Sequence, residues 1–215
     1  MATGSRTKSR LARAEQSRQT RLAITRAATA LFVRDGFLTT TMSAIAAEAG
    51  VAVQTLYLSF RSKTAILVAA FDTAIAGDDE PLPLLERDWM RNVLDHPDGP
   101  QALTAFIEEA TTIMERTTPL YMVIRSAAAD PEVAEFLAKN KNERYGHFGV
   151  VIDALADKPG YAALLTSQQA TDLLYTVHSE DTFAMLVHER GWTIRQWSEW
   201  SQRTMLGELF PSRLS

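Results

Sequence analysis

Apolar residues recur at helical spacing along almost the whole chain, and this periodicity restricts the possible folds more than any other feature. Ile24, Ala27, Ala28, Leu31 and Phe32, for example, follow the i, i+3, i+4, i+7, i+8 pattern of one buried helix face. No stretch alternates apolar and polar residues as a half-buried strand does. The sequence therefore predicts an all-α fold of roughly nine or ten helices, each with boundaries uncertain by ~2–4 residues.

Composition narrows the class of protein. With 46% hydrophobic and 22% charged residues among 215, the chain resembles an ordinary globular protein. No apolar run approaches the ~18 residues of a membrane span, and the N-terminus lacks the apolar region of a secretory signal. The chain has no cysteine, which excludes disulfides and thiolate metal sites. These features predict a cytoplasmic protein without a membrane partner.

Charge is unevenly distributed along the chain. Residues 1–63 hold ten Lys/Arg and three Asp/Glu, a balance of 10 − 3 = +7. The remainder holds 12 basic and 23 acidic residues, a balance of −11. A basic head on an acidic body indicates that the head meets a polyanion. The alternative is a solvated basic tail without a partner.

Two short helices are predicted on either side of the turn "EAGVAV" (48–53). Thr41 or Thr40 can cap the first of them, and Gly50 tolerates the left-handed backbone conformation that ends it. Small Ala46 lets the two helices cross closely. This pattern predicts a helix-turn-helix, whose second helix enters the major groove of DNA. A plain helical hairpin with Tyr57 in its core is the alternative.

The polar residues of this segment fit such a role. Gln54 can donate and accept at a base edge, and the nearby hydroxyl groups can reach phosphate oxygens. Lys63 begins the next helix, where its ammonium would reinforce the helix dipole toward a phosphate. The residues predicted to contact DNA are Thr41, Ser43, Val53, Gln54, Thr55, Tyr57, Ser59 and Lys63.

The run "TTMSAIAAEAGVAVQTLYLSFRSKTAIL" resembles the DNA-binding region of the tetracycline-repressor (TetR) family of transcriptional regulators. The matching positions are Thr41, Ile45-Ala46, Ala49-Gly50-Val51, Thr55-Leu56-Tyr57, Phe60 and Lys63. The resemblance implies a homodimer with a helical ligand-binding body, released from its DNA operator by a small-molecule effector. Two departures are Ser59, where the family often has histidine, and Gln54, where many members have glycine or another small residue.

The chain is accordingly predicted to comprise a basic arm (1–20), a three-helix DNA-binding domain (21–78) and a larger C-terminal helical domain (79–215) for effector binding and dimerisation. "GDDEPLP" (77–83) is the predicted linker. Thr118 with Pro119, and Asp130 with Pro131, are predicted to begin helices of the body. One unbroken helix is predicted from Ser167 to Glu189, and a last helix from Thr193 to Phe210. "RSAAADPEVAEF" and "LVHERGWTIRQWSEW" resemble the body of actinobacterial members of the family.

An effector pocket in such a body would be mostly apolar, with a few polar groups fixing orientation. Arg125 is notable, because a charge within the apolar run "YMVIRSAAA" needs a partner, either a ligand or a carboxylate such as Asp130 or Asp172. Plain core packing is the alternative for each candidate. The candidate pocket residues are Trp89, Phe106, Met114, Tyr121, Arg125, His147, Phe148 and His178.

The two C-terminal helices carry more apolar surface than is needed to cover one side of a body, which predicts a four-helix dimer interface. The predicted interface residues are Leu173, Val177, Leu186, Trp197, Trp200 and Leu206. Burial of both tryptophans within one chain is the alternative.

An all-helical enzyme or small-molecule carrier is the competing functional class. His147, His178 and His188 have no zinc-motif spacing and are interpreted as solvated or capping residues. No phosphate-binding loop, dinucleotide fingerprint or nucleophile elbow occurs in the sequence. We therefore predict no catalytic residues, no metal site and no cofactor.

Overall fold

The computed structural model describes residues 3–77 and 82–211, with the side chains of residues 3–11 left out of the description. The described residues form helices joined by turns and contain no strand, as the periodicity predicts. Most of the predicted linker, residues 78–81, lies outside the described residues. The helices are α1 (Thr3–Asp35), α2 (Met42–Glu48), α3 (Val53–Ser59), α4 (Lys63–Ala76), α5 (Asp88–Asp95), α6 (Gly99–Ser126), α7 (Pro131–Ala156), α8 (Ser167–Val177), α9 (Glu180–Phe183) and α10 (Ile194–Leu209).

Two compact units make up the chain: Met1–Ala74 with Leu120–Ala134, and Ile75–Pro119 with Glu135–Ser215. We call them the head and the body. The head includes Leu120–Ala134, which a single division of the sequence at residue 78 does not anticipate. The predicted inner face of α1 is buried as expected, with Ile24, Ala28 and Phe32 fully inaccessible to solvent.

Helix caps follow the predicted chemistry. The Thr41 hydroxyl accepts a hydrogen bond from the Ala44 amide at the start of α2, whereas the Thr40 hydroxyl is buried and donates to the Gly36 carbonyl. The Asp130 carboxylate accepts from the first amides of α7. Thr193 and Gln196 form a capping box at the start of α10.

The predicted helix start at Thr118 and Pro119 is wrong, because α6 continues through this proline. Pro119 leaves the carbonyl four residues earlier, that of Glu115, without its helical donor. Glu115 is on the exposed side of the helix, where water can replace the missing donor. Burial of Leu120, Tyr121 and Ile124 in the following turn favours the continuous helix.

The predicted unbroken helix from Ser167 to Glu189 is also wrong. α8 ends at Val177, α9 begins at Glu180, and a π-helix follows at Ala184–Glu189. The Ser179 hydroxyl accepts from the Thr182 amide, and the Thr182 hydroxyl donates to the Val177 carbonyl. These side-chain bonds replace the helical ones and break the helix. The break is itself buried, so His178 and Glu180 face the interior of the body.

Candidate DNA-binding and effector sites

α2, the following turn and α3 form a closely packed pair of helices in the head. Gly50 has a φ of 66°, in the left-handed region that the turn requires. The Val51 amide donates to the Ala46 carbonyl over 3.0 Å, closing the turn. Ile45, Ala46 and Leu56 are completely buried and hold the pair together. This geometry is the predicted helix-turn-helix.

One face of α3 is open to solvent and carries the residues suited to reading DNA. Gln54 is exposed, and Val53 and Tyr57 are 39% and 53% exposed. Tyr57 is therefore not a core residue, which argues against the plain hairpin. Leu58, which the sequence analysis did not select, is 89% exposed on the same short helix. A leucine so exposed next to polar readers is suited to contact a thymine methyl group.

The predicted phosphate-contacting hydroxyls differ in their surroundings. Thr41 and Ser43 are exposed at the N-terminus of α2, whereas Thr55 and Ser59 are half-buried. The Ser59 hydroxyl donates to the Thr55 carbonyl over 2.9 Å. Ser59 therefore keeps only its acceptor capacity for a further partner, which reduces its suitability as a phosphate donor.

Lys63 begins α4, as the sequence predicts, and its side chain makes internal contacts. Its ammonium donates to the Phe37 and Thr40 carbonyls at 2.5 and 2.9 Å, and lies 4.4 Å from the centre of the Phe37 ring. Burial lowers the pKa of Lys63, and the charge of Asp130 opposes this shift. Lys63 therefore links α4 to the α1–α2 loop, and its contact with a phosphate stays a prediction.

Arg21 makes a similar internal contact at the C-terminal end of α3. Its guanidinium donates to the Ser59 carbonyl and lies 4.0 Å from the centre of the Phe60 ring. A cation at the last carbonyls of a helix is favoured by the helix dipole. Arg21 and Lys63 therefore hold α3 and the α1–α2 loop in place. Of the predicted arm, Arg13 is exposed, and the side chains of Arg6, Lys8 and Arg10 lie outside the described residues.

The predicted pocket residues are not all brought together. Phe106, Met114, Phe148 and His178 are buried in the body, where Trp89 and His147 are only partly buried. Tyr121 is buried but belongs to the head.

Arg125 contradicts the expectation of a charge within an apolar core. It is exposed, because the buried stripe of α6 passes through Tyr121, Ile124 and Ala127 and leaves position 125 on the opposite face. Arg125 is therefore not a buried charge in need of a ligand.

A buried polar cluster lies at the broken helix of the body, formed by Arg144, His178, Glu180 and Trp197. The Arg144 guanidinium forms an ion pair with the Glu180 carboxylate, and the two side chains are only 11% and 4% exposed. The guanidinium also lies 4.5 Å from the centre of the Tyr175 ring. The His178 and Trp197 rings are fully buried with their centroids 4.6 Å apart.

His178 is held in its neutral form. Burial lowers its pKa to about 3, the Ala110 carbonyl opposes this shift, and the positive charge of Arg144 lowers the pKa further. Its Nδ1 lies 3.2 Å from the Ser201 hydroxyl oxygen. Of the two interpretations of His178, solvated or capping, the solvated one is wrong, because the helix break turns the ring inward; the residue occupies the C-cap of α8.

Arg144 and Ser201 also contribute to this cluster, and neither residue is predicted from the sequence. Arg144 is one of many charged residues in "KNKNERYGHF", and nothing in its spacing separates it from the solvated ones. The sequence contains one signal for this cluster, the pair Ser179 and Thr182. Serine and threonine hydroxyls compete for backbone hydrogen bonds, so such a pair can mark a helix break.

A shallow groove of about 490 Å³ runs between α6 and α10 in the body. Thr111 and Ser198 line it, and their hydroxyl oxygens are 3.2 Å apart. Glu108, Arg195, Glu199 and Gln202 also line the groove, so two carboxylates and one guanidinium face it.

The predicted dimer residues separate into two groups. Leu173, Leu186, Trp200 and Leu206 are partly exposed, which leaves them available to a partner. Trp197 is fully buried and Val177 is 6% exposed. These two residues pack within the chain, and their assignment to an interface is corrected accordingly.

No described helix combines the length and the apolar character needed to cross a membrane. In the same part of the chain, no three His, Asp or Glu side chains are grouped as a metal site would require.

Comparison with known proteins connects this geometry to a family. Residues 24–70 match the family described as bacterial regulatory proteins, tetR family, and no curated protein sequence matches the chain. The stretch includes about the last third of α1, all of α2 and α3, and the first half of α4.

Solved structures share the fold at low sequence identity. FadR from Bacillus subtilis, solved in complex with stearoyl-CoA, has a TM-score of 0.70 at 15% identity and covers 87% of this chain and 98% of its own. NalD from Pseudomonas aeruginosa, the secondary repressor of the MexAB-OprM multidrug efflux pump, has a TM-score of 0.66 at 19% identity and covers 91% and 98%. FadR from Bacillus halodurans, a fatty acid degradation regulator, has a TM-score of 0.70 at 14% identity and covers 87% and 95%. Residues 24–70 of this chain are therefore similar to the DNA-binding region of the tetR family, and the chain shares its fold with these solved regulators.

Proposed function

We propose that this protein is a cytoplasmic, homodimeric repressor that leaves its DNA operator when a small-molecule effector binds the body. The proposal depends mainly on one observation. One face of α3 is exposed to solvent, while Ile45, Ala46 and Leu56 are fully buried and hold α2 and α3 together. A short helix with an exposed amide, a phenol and apolar groups is suited to the major groove. No catalytic role is proposed for any residue.

We assign the DNA contacts by chemistry and exposure. Gln54, Val53 and Tyr57 face the bases or the edge of the groove, and Thr41 and Ser43 face the backbone at the N-terminus of α2. Thr55 and Ser59 have supporting positions, because they are half-buried. Lys63 acts through the α1–α2 loop that it holds.

Gln54→Ala is expected to change which base the protein prefers, by roughly 1–3 kcal/mol if the amide makes two hydrogen bonds to one adenine. Selection of duplexes from a random pool by the wild type first yields the operator, and the same selection with the variant yields its preference. Gln19→Ala is the matched control, since its amide lies on α1 and donates to Glu15. An unchanged preference in Gln54→Ala would exclude this residue as a reader.

The effector would change affinity for DNA by binding two states of the protein unequally. In the body, the polar cluster around Arg144 and His178 brings together the ionisable side chains that are buried in the described interior. We place the effector there and treat the remaining predicted pocket residues, among them Phe106, Met114 and Phe148, as its apolar surroundings.

The proposed dimer uses the partly exposed apolar residues of the C-terminal helices. Leu186→Glu and Trp200→Glu should each convert a dimer to a folded monomer, because a carboxylate would be buried without a partner in the interface. Sedimentation velocity at micromolar concentration measures the change, and circular dichroism verifies folding. Leu164→Glu, at a residue 78% exposed in the loop before α8, is the control and should remain dimeric.

Loss of the dimer would also weaken operator binding, because two heads are needed to reach half-sites about 34–36 Å apart. A wild type that sediments as a monomer at this concentration would contradict the proposal. Charged variants that stay dimeric and folded would move the interface away from α10 and the π-helix.

A further inference from the structure

Two buried donors of the body cluster have no hydrogen-bond partner among the described residues: Arg144 Nε and Trp197 Nε1. They come from two separate helices, α7 and α10. The His178 ring is already engaged by the Ser201 hydroxyl and the Ala110 carbonyl. Buried polar side chains nearly always have a partner, whether protein, water or ligand. Two open donors in one cluster therefore indicate a site that can receive an acceptor from outside the chain.

The charges of the cluster already cancel. The Arg144 guanidinium is paired with the Glu180 carboxylate, and His178 is neutral. A carboxylate ligand would add an unpaired negative charge to this buried site, and an ammonium ligand an unpaired positive one. Desolvation disfavours both, because a buried charge without a partner is strongly unfavourable.

What remains unmatched is hydrogen-bond donation. The indole N–H of Trp197 and the Nε–H of Arg144 can only donate. The one carboxylate of the cluster is engaged by Arg144. The surrounding side chains are aromatic, with Phe106, Phe148 and Phe183 within 6.5 Å of the His178 or Trp197 ring centroids.

We propose that the body binds an uncharged molecule with an aromatic or aliphatic frame and a carbonyl oxygen that accepts from Trp197 Nε1 and Arg144 Nε. This inference rests on the proposed function, since it names the chemical class of the effector. The π-helix that follows the cluster supports it, because π-helical turns occur often at functional sites. The groove lined by Thr111 and Ser198 is the proposed entry, because these residues adjoin Ala110 and Trp197 in sequence.

The test uses three probes of matched size, acetophenone, benzoate and benzylammonium, with the full-length protein labelled with ¹⁵N in its four tryptophans. The Trp197 indole signal is the one that persists in each of the variants Trp89→Phe, Trp192→Phe and Trp200→Phe. Acetophenone is expected to move this proton signal downfield, as a new hydrogen bond does. Its affinity should exceed that of either charged probe by about tenfold or more, the factor that 1.4 kcal/mol represents.

Trp197→Phe keeps an aromatic ring and removes the donor, so it should weaken acetophenone binding about tenfold, the same factor. Tyr161→Phe, whose ring packs against Phe210 and not against this cluster, should not change it. If Trp197→Phe does not fold, the indole shift in the three other variants decides. Stronger binding of benzoate or benzylammonium would overturn the inference. So would an indole signal that no probe moves, because the donors would then be satisfied by internal water.

Selection of DNA by the same preparation separates the two proposals. Recovery of an operator together with an unmoved Trp197 signal would refute the effector class and leave the repressor proposal standing. A shift with acetophenone but no selected DNA would support the site and refute the repressor.

Discussion

Arg144→Met is expected to lower the free energy of unfolding of the body by roughly 3–5 kcal/mol. The substitution removes the only charged partner that the described residues give to Glu180, whose side chain is 4% exposed. A carboxylate left buried without its cation loses the attraction that compensated for its desolvation. Urea unfolding followed by circular dichroism gives the free energy from the linear extrapolation.

Two controls separate the loss of a partner from the loss of a side chain. Arg144→Met combined with Glu180→Met removes both charges and should recover most of the stability, because buried ion pairs are often replaceable by apolar residues. Arg195→Met breaks an exposed pair with Glu199 and should change stability by less than about 1 kcal/mol. Equal effects of Arg144→Met and Arg195→Met would show that the Arg144 pair is not buried in solution.

Acid should destabilise the body through His178. The unfolded ring titrates near pH 6.5, whereas the folded ring has a pKa of about 3. Between these values the unfolded state binds a proton that the folded state does not, so stability falls as pH falls. Above pH 6.5 both states are neutral and the contribution is constant. At about 1.4 kcal/mol per pH unit, the loss by pH 4.5 is roughly 3 kcal/mol.

The measurement is the free energy of unfolding at pH 7.0, 6.5, 5.5 and 4.5 in wild type and His178→Gln. His178→Gln lacks this titration. Its free energy of unfolding should therefore fall by about 3 kcal/mol less than that of the wild type between pH 7.0 and pH 4.5. This difference does not depend on the stability of the variant at pH 7. Burial also lowers the pKa of His147, so its titration changes stability in the same direction. His147→Gln is the matched control, because it removes a histidine from the body but leaves the titration of His178 in place. Parallel curves for wild type and His178→Gln would contradict the proposed neutral state.

The head could be predicted from sequence in detail because its signals are local. The apolar period of α1, the Thr41 cap and the turn at Gly50 are each contained within a few residues, and each is confirmed. Such signals agree with the tertiary structure and need no knowledge of distant neighbours.

The errors in the body have a common physical origin. Pro119 is a local helix breaker that burial of the following residues overrides, and Ser179 with Thr182 breaks a helix that the apolar period favours. His178 has an ordinary sequence context, and its role depends on rings contributed by distant elements. Sequence periodicity identifies buried faces but not the few polar groups on them.

The internal contacts of the basic residues have a consequence for the ionic-strength dependence of DNA binding. Seven Lys/Arg between residues 12 and 63 have side chains that the structure describes, and four of them have partners within the head, which leaves 7 − 4 = 3. Arg18 and Arg34 pair with Glu15 and Asp35, and Arg21 and Lys63 bind backbone carbonyls. Each phosphate neutralised by protein changes the logarithmic dependence on salt by about 0.9. Among these seven cations, counterion release should therefore come mainly from Arg13, Arg26 and Arg61, while the other four hold the helix-turn-helix in shape.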